Sequence, residues 1–132
     1  MVEIFTDGAS RGNPGASSYA FIFVNSHKIV KLKGGFIGFS TNNIAEYTAI
    51  LESLKEAMGD HLSHIAVYSD SLLVISQLNR TYRVKSKELL KYYNEIQELI
   101  PEFKTVIFRY VGRENHYTKI VDYLCTIMLG PK

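Results

Sequence analysis

The sequence predicts an α/β fold in which a five-stranded mixed sheet, three antiparallel strands followed by parallel ones, is flanked by helices. Three observations carry that expectation. Residues 2–36 hold three β-rich runs separated by turn chemistry. From Asn43 the apolar residues change to a helical period, and helical and strand-like segments then alternate. Within that alternating part, "HIAVYSD" (64–70) is a short, nearly continuous apolar run, the pattern of a strand buried on both faces of a parallel sheet.

The elements follow in order. Residues 2–6 alternate weakly and end at Asp7-Gly8, and the segment through Gly12-Asn13-Pro14-Gly15 carries turn formers. Tyr19–Asn25 and Lys28–Phe36 are apolar runs joined through Ser26-His27, which makes three consecutive antiparallel strands. Tyr47, Ile50, Leu51, Leu54 and Met58 mark a first helix that ends at Gly59-Asp60. After the strand at 64–70, Leu72–Leu78 reads as a short helix. "KSKELLKYYNEIQELI" (85–100) reads as a longer one, with Leu89, Leu90, Tyr93 and Ile96 on one face and a stop at Pro101. "TVIFRYV" (105–111) is a further strand. A last helix spans about 116–128, with Ile120, Val121, Leu124, Cys125 and Met128 as its apolar face. Three strands followed by alternating helices and strands imply the five-stranded sheet.

Length and composition narrow the class. At 132 residues with 46% hydrophobic and 21% charged residues, the chain has the size of one globular domain, expected over 1–132, that buries its own core. No apolar run approaches the roughly 18 residues of a membrane span and no signal-like segment opens the sequence, so a cytoplasmic protein without membrane contact is expected. The single cysteine, Cys125, excludes an internal disulfide and reads as a buried thiol among Leu124, Ile127 and Met128. A net charge of +2 is too small to announce a nucleic-acid partner by itself, because clustering of charge matters more than its total.

Four acidic residues stand out by position: Asp7 at the end of the first strand, Glu46 in the first turn of the first helix, Asp70 after the fourth strand and Asp122 in the last helix. Each has a structural reading. Glu46 can complete a capping box with Asn43, Asp70 can cap the helix after it, and Asp122 can be a solvated helix charge. Their combination has a second reading. In an open sheet with a parallel portion, ligands bind beyond the carboxyl ends of the strands, where Asp7 and Asp70 are expected. Carboxylates gathered there repel one another unless cations join them, and Mg²⁺ favours a few carboxylates plus water and phosphate oxygens. Two such ions about 4 Å apart serve phosphodiester hydrolysis.

The segments "FTDGASRGNPG" (5–15), "TNNIAEYTAI" (41–50), "YSDSLLVISQL" (68–78), "TYRVKSKELLKYYNEI" (81–96) and "VGRENHYTKIVDYL" (111–124) resemble, in that order and across nearly the whole chain, type 1 ribonuclease H. The resemblance implies a ribonuclease H-like fold and an endoribonuclease that cuts the RNA strand of RNA/DNA hybrids, leaving 3′-hydroxyl and 5′-phosphate ends. It implies two Mg²⁺ or Mn²⁺ ions, held by Asp7, Glu46, Asp70 and Asp122. It also implies a hybrid-binding surface. Asn13, Asn42, Asn43 and Gln77 resemble positions near the hybrid's minor groove, where amides meet the 2′-hydroxyls that mark RNA. Thr41 falls where the family holds a DNA phosphate, and Phe39 stands where members can carry an arginine. For Asn42 and Asn43, helix capping is the competing reading.

Around the last motif the chain departs from the family, with Val121 before the aspartate and Tyr123-Leu124-Cys125 after it, and with a loop from Arg113 slightly longer than in compact members. His116 in that stretch is a candidate for water activation or product release, against a surface role at a helix start. "RTYRVKSKELLK" (80–91) places Arg80, Arg83, Lys85, Lys87 and Lys91 around Tyr82 and suits the DNA strand's phosphates and sugars, against a solvated helix start. The function expected is a hybrid-directed ribonuclease acting as a monomer. The alternatives are a nucleic-acid-binding domain of the same fold with weak catalysis, or a related nuclease acting on double-stranded RNA or DNA junctions.

Overall fold

The structure, a computed structural model, describes residues 1–131. Strands β1 (Val2–Ser10), β2 (Gly15–Asn25) and β3 (Lys28–Ser40) precede helix α1 (Asn42–Gly59). They are followed by β4 (His64–Ser69), α2 (Leu72–Leu78), α3 (Lys87–Leu99), β5 (Thr105–Tyr110) and α4 (His116–Leu129). A short 3₁₀ turn at Ile100–Glu102, with Pro101 inside it, closes α3. The sheet order is β3-β2-β1-β4-β5. The β1–β2 and β2–β3 pairs are antiparallel, while β1–β4 and β4–β5 are parallel, as the sequence predicts. The chain therefore leaves β1 in one direction and returns to its other side with β4, and this switch point lies between β1 and β4.

The first three strands are longer than their apolar patterning suggests. The small residues after Phe5 do not form a turn: the ladder continues from Asp7↔Ala20 to Ser10↔Ser17, and only residues 11–14 lie outside it. Within this stretch Gly8 stands where helix α1 presses close. A Cβ on Gly8 would lie 2.2 Å from the carbonyl carbon of Ala45 in α1. At the other end of β2, Ser26 and His27 both adopt positive φ (52° and 64°), which makes the two-residue type I′ turn that matches strand twist.

Alternation along β1 and β2 divides the core between the two faces of the sheet. Ile4, Phe21 and Phe23 pack with Tyr47, Ile50 and Leu54 of α1 and with residues of α2 and α3. Phe5, Ala20, Ile22 and Val24 pack against Val121 and Cys125 of α4. Edge strand β3 is pinned to α1 through Lys31 and Lys33, whose ammonium groups lie 2.6 and 2.9 Å from Glu56. Each helix opens on a side-chain cap: Thr41 for α1, Ser71 for α2, Ser86 for α3 and Asn115 for α4. Among the described residues, no helix is long and apolar enough to cross a membrane.

Candidate active site

Asp7 lies inside β1, not at its end, but it does lie beyond the end of the neighbouring strand. The β1–β4 ladder stops at Phe5↔Tyr68, while β1 runs on beside β2 alone. Backbone groups past that point have no strand to pair with on the β4 side. The amide of Gly8 donates to the Glu46 carboxylate instead. By the period-two rule Asp7 shares the face of Phe5, toward α4, while Gly8 faces α1. The missing side chain of Gly8 lets α1 approach closely enough for Glu46 to reach the same spot.

The capping roles open to Glu46 and Asp70 are filled by other residues. Thr41 Oγ1 accepts from the amide of Ile44 at 3.2 Å, so neither Asn42 nor Asn43 caps α1 and no box with Glu46 forms. Ser71 caps α2 by accepting from the amide of Val74 at 3.3 Å, which leaves the Asp70 side chain free. Glu46 also accepts from the hydroxyl of Ser69 at 3.4 Å. Asp7 and Glu46 are each only 5% exposed. One carboxylate oxygen from each of Asp7, Glu46 and Asp70 lies within 4.8 Å of the others.

This proximity shifts the acids. Burial pushes the Asp7 carboxyl up, and the neighbouring Glu46 and Asp70 carboxylates push it the same way. Burial likewise raises Glu46, against hydrogen bonds from Asp7, Gly8 and Ser69 that favour its charged form. Asp70 is raised by burial and by Asp122, against the Arg113 guanidinium, whose Nε lies 3.4 Å from Asp70 Oδ2. Behind the cluster, Cys125 is buried and its thiol donates to the Asp7 carbonyl at 3.2 Å, as a structural thiol should; burial raises its pKa. A set of hard oxygen donors that cannot all ionise in a confined space is suited to a divalent cation.

Asp122 lines the same cleft from α4 but is solvent-exposed and stands outside the tight group of three. Thr118 and Lys119, one turn earlier, line it too. Neither stands out from residue type alone, although their spacing from Asp122 places them on its face. Gly8 and Ser69 are equally inconspicuous in the sequence, Gly8 because Asp-Gly carries a turn signal.

His116 stands apart from the carboxylate cleft. It is the exposed first residue of α4, its ring 5.2 Å from that of Tyr117, and it does not line the cleft. Six residues before Asp122 it is turned about 120° away around the helix. Gln77 also stands apart from the cleft. It is 5% exposed, and its Oε1 accepts from the buried Tyr47 hydroxyl at 2.6 Å, which ties it into the packing between α1 and α2.

Of the remaining predicted contact residues, Asn42 lines the cleft and Asn13 is tied to it, with Asn13 Oδ1 accepting the Asn42 amide at 3.1 Å. Asn43 is half-buried and does not line the cleft. Phe39 is 79% exposed. Arg80, Tyr82 and Arg83 sit with Leu90 and Tyr93 around a second depression that shares no residue with the carboxylate cleft, and Arg80 Nη2 donates to Gln97 at 3.1 Å. Lys85 and Lys87 are exposed on either side of the Ser86 cap.

The chain is similar in sequence and fold to known proteins. The reverse transcriptase-like family matches residues 5–126. A bifunctional protein of Mycobacterium tuberculosis is 37% identical over 114 residues, 85% of this chain and 31% of its own length. Ribonuclease HI of Halobacterium salinarum is 33% identical over 113 residues, 85% of this chain and 57% of its own. The chain thus spans a third to somewhat over half the length of these relatives. Among solved structures, the RNase H1 of the same halophilic archaeon superposes with a TM-score of 0.91 at 32% identity, covering 97% of this chain and 96% of that one. LC11-RNase H1, solved in complex with an RNA/DNA hybrid, superposes at 0.90 and 28% identity over 98% and 96% of the two chains. By fold, by sequence and by the order of its motifs, the chain belongs to the reverse transcriptase-like family and, within it, to the type 1 ribonucleases H.

Proposed function

We propose that this chain is an endoribonuclease that hydrolyses the RNA strand of RNA/DNA hybrids by two-metal-ion catalysis, leaving 3′-hydroxyl and 5′-phosphate ends. The observation that carries the reading is the group formed by Asp7, Glu46 and Asp70, with carboxylate oxygens within 4.8 Å of one another and two of the three residues buried. Such a group is costly to the fold on its own, so its presence at the sheet's switch point supports a bound ligand there. The similarity to an RNase H1 solved with an RNA/DNA hybrid supports the choice of substrate.

Asp7, Glu46, Asp70 and Asp122 would hold the ions, and the donor set fits Mg²⁺ or Mn²⁺ because it offers only carboxylate oxygens in a cleft open to phosphate and water. Ions held by these residues would supply an activated water and stabilisation of the leaving oxygen. The protein's part is positioning. The Gly8 amide and the Ser69 hydroxyl orient Glu46, and Arg113 offsets the charge of Asp70. Asn42, fixed through Asn13, faces the cleft where a 2′-hydroxyl would distinguish RNA from DNA. Thr41 keeps its hydroxyl proton for a DNA phosphate, and the basic loop from Arg80 to Lys87 follows the DNA backbone. In this reading residues 1–132 act as one catalytic domain, in a cytoplasmic monomer.

The test is a series of neutral, near-isosteric variants: Asp7→Asn, Glu46→Gln, Asp70→Asn and Asp122→Asn. Each abolishes hybrid cleavage and leaves hybrid binding close to wild type. A second reading, a hybrid-binding domain with weak catalysis, is favoured by the exposure of Asp122 and its place outside the group of three. That reading gains if wild type binds hybrid without cutting it, and the nuclease reading fails if Asp7→Asn cuts like wild type.

A further inference from the structure

Thr118 is 3% exposed, lines the carboxylate cleft, and its hydroxyl oxygen is fully buried without a hydrogen-bond partner among the described residues. A buried hydroxyl left unpaired is costly and needs an explanation. The other helical threonines show what is ordinary. Thr48 donates to the carbonyl of Ile44 at 2.7 Å and Thr126 to that of Asp122 at 3.2 Å, each four residues back. Thr118 cannot do this, because four residues back is Glu114, which precedes the Asn115 cap and lies outside α4. The cap itself binds the Thr118 amide and not its hydroxyl. One turn further on, at the i,i+4 position where side chains meet, is the exposed Asp122.

We propose that Thr118 is a positioning residue for the metal site: its hydroxyl donates to the Asp122 carboxylate and fixes that otherwise exposed side chain as the fourth ligand when a divalent ion enters the cleft. The proposal rests on the metal-site reading above. It accounts for the orphaned donor and also for how an acid outside the tight group joins it. A hydrogen bond behind a ligand commonly sets its orientation, and losing one weakens metal affinity about 10–100-fold.

The test is calorimetric titration of the full chain with Mn²⁺ alone, on wild type, Thr118→Val, Thr118→Ser, Asp122→Asn and the Thr118→Val/Asp122→Asn double variant. Valine keeps the shape and removes the hydroxyl, so the metal-free variant melts at or above the wild-type temperature, since an unpaired donor has been removed. Its Mn²⁺ affinity falls about tenfold. Serine keeps affinity near wild type, and the double variant binds no more weakly than Asp122→Asn, because the two residues act as one unit. Thr118→Val binding Mn²⁺ as wild type does would overturn the proposal and leave the metal site standing. An equal loss on the Asp122→Asn background would also overturn it, because Thr118 would then act independently of Asp122. Wild type taking up no Mn²⁺ would remove the metal site and the proposal together.

Discussion

Gly8 donates its backbone amide to the carboxylate of Glu46, across the gap left where β4 ends and β1 continues. The contact joins strand and helix where the β1–β4 ladder has ended, and it requires a residue without a side chain. Gly8→Ala would place a Cβ 2.2 Å from the backbone of Ala45, which no rotamer can relieve. The substitution costs about 1–3 kcal/mol of stability by overpacking, read from urea unfolding. It also lowers hybrid cleavage per folded molecule, because α1 carries Glu46 away from Asp7 as it shifts. Wild-type stability in Gly8→Ala would contradict the close approach.

The carboxylate group makes the metal-free protein sensitive to pH in a defined direction. Asp7, Glu46 and Asp70 all have folded-state pKa values above the ordinary 3.8 and 4.5 of aspartate and glutamate, with burial the largest cause in each. The folded state therefore holds protons that the unfolded chain has released. Stability from these groups is fully present below the ordinary carboxylate values and declines as pH rises through the raised ones. Melting curves in chelator should show the transition falling from mildly acidic to alkaline pH, and Mg²⁺ should recover much of the loss by binding the charged forms. Asp7→Asn should flatten the decline. A metal-free transition that rises with pH over this window would contradict the cluster.

Gln77 is structural in this fold. Gln77→Ala leaves the buried Tyr47 hydroxyl without its acceptor and costs about 1–3 kcal/mol, measured by chemical unfolding. Hybrid affinity of the folded variant stays at the wild-type value. Weakened binding at unchanged stability would return Gln77 to the contact surface.

The basic loop is a test of substrate footprint. Removing one basic group that neutralises a phosphate lowers the slope of log affinity against log salt by about 0.9 on B-form DNA. Arg83→Ala with Lys85→Ala should therefore weaken hybrid binding, most at low salt, and reduce that slope by about 1.8. An unchanged affinity and slope would make these residues a solvated helix start and nothing more.

The longer helices were legible because their apolar residues keep one period, Tyr47 to Met58 and Leu89 to Ile96, and β4 because its short apolar run is nearly continuous. The continuation of β1 through Asp7 to Ser10 was not, since Asp-Gly carries a turn signal, whereas the true reason for Gly8, the nearness of α1, is tertiary. The four acids were legible by position, but which caps they did not form depended on Thr41 and Ser71 filling those roles first. Gln77 and His116 stand away from the cleft for a common reason. Residue type and sequence neighbourhood suggested a role, whereas the helical angle decided which way each side chain faced. Thr118 and Lys119 could have been found by counting one helical turn toward the N-terminus from Asp122.

The most direct measurement is cleavage of an end-labelled RNA/DNA hybrid beside double-stranded RNA, single-stranded RNA and double-stranded DNA, each with Mg²⁺, Mn²⁺ or chelator. The expected result is cutting of the hybrid's RNA strand alone, with either ion and not in chelator, and fragments ending in 3′-hydroxyl and 5′-phosphate. Intact RNA in the hybrid with both ions present, from protein that is folded and binds the hybrid, would contradict it.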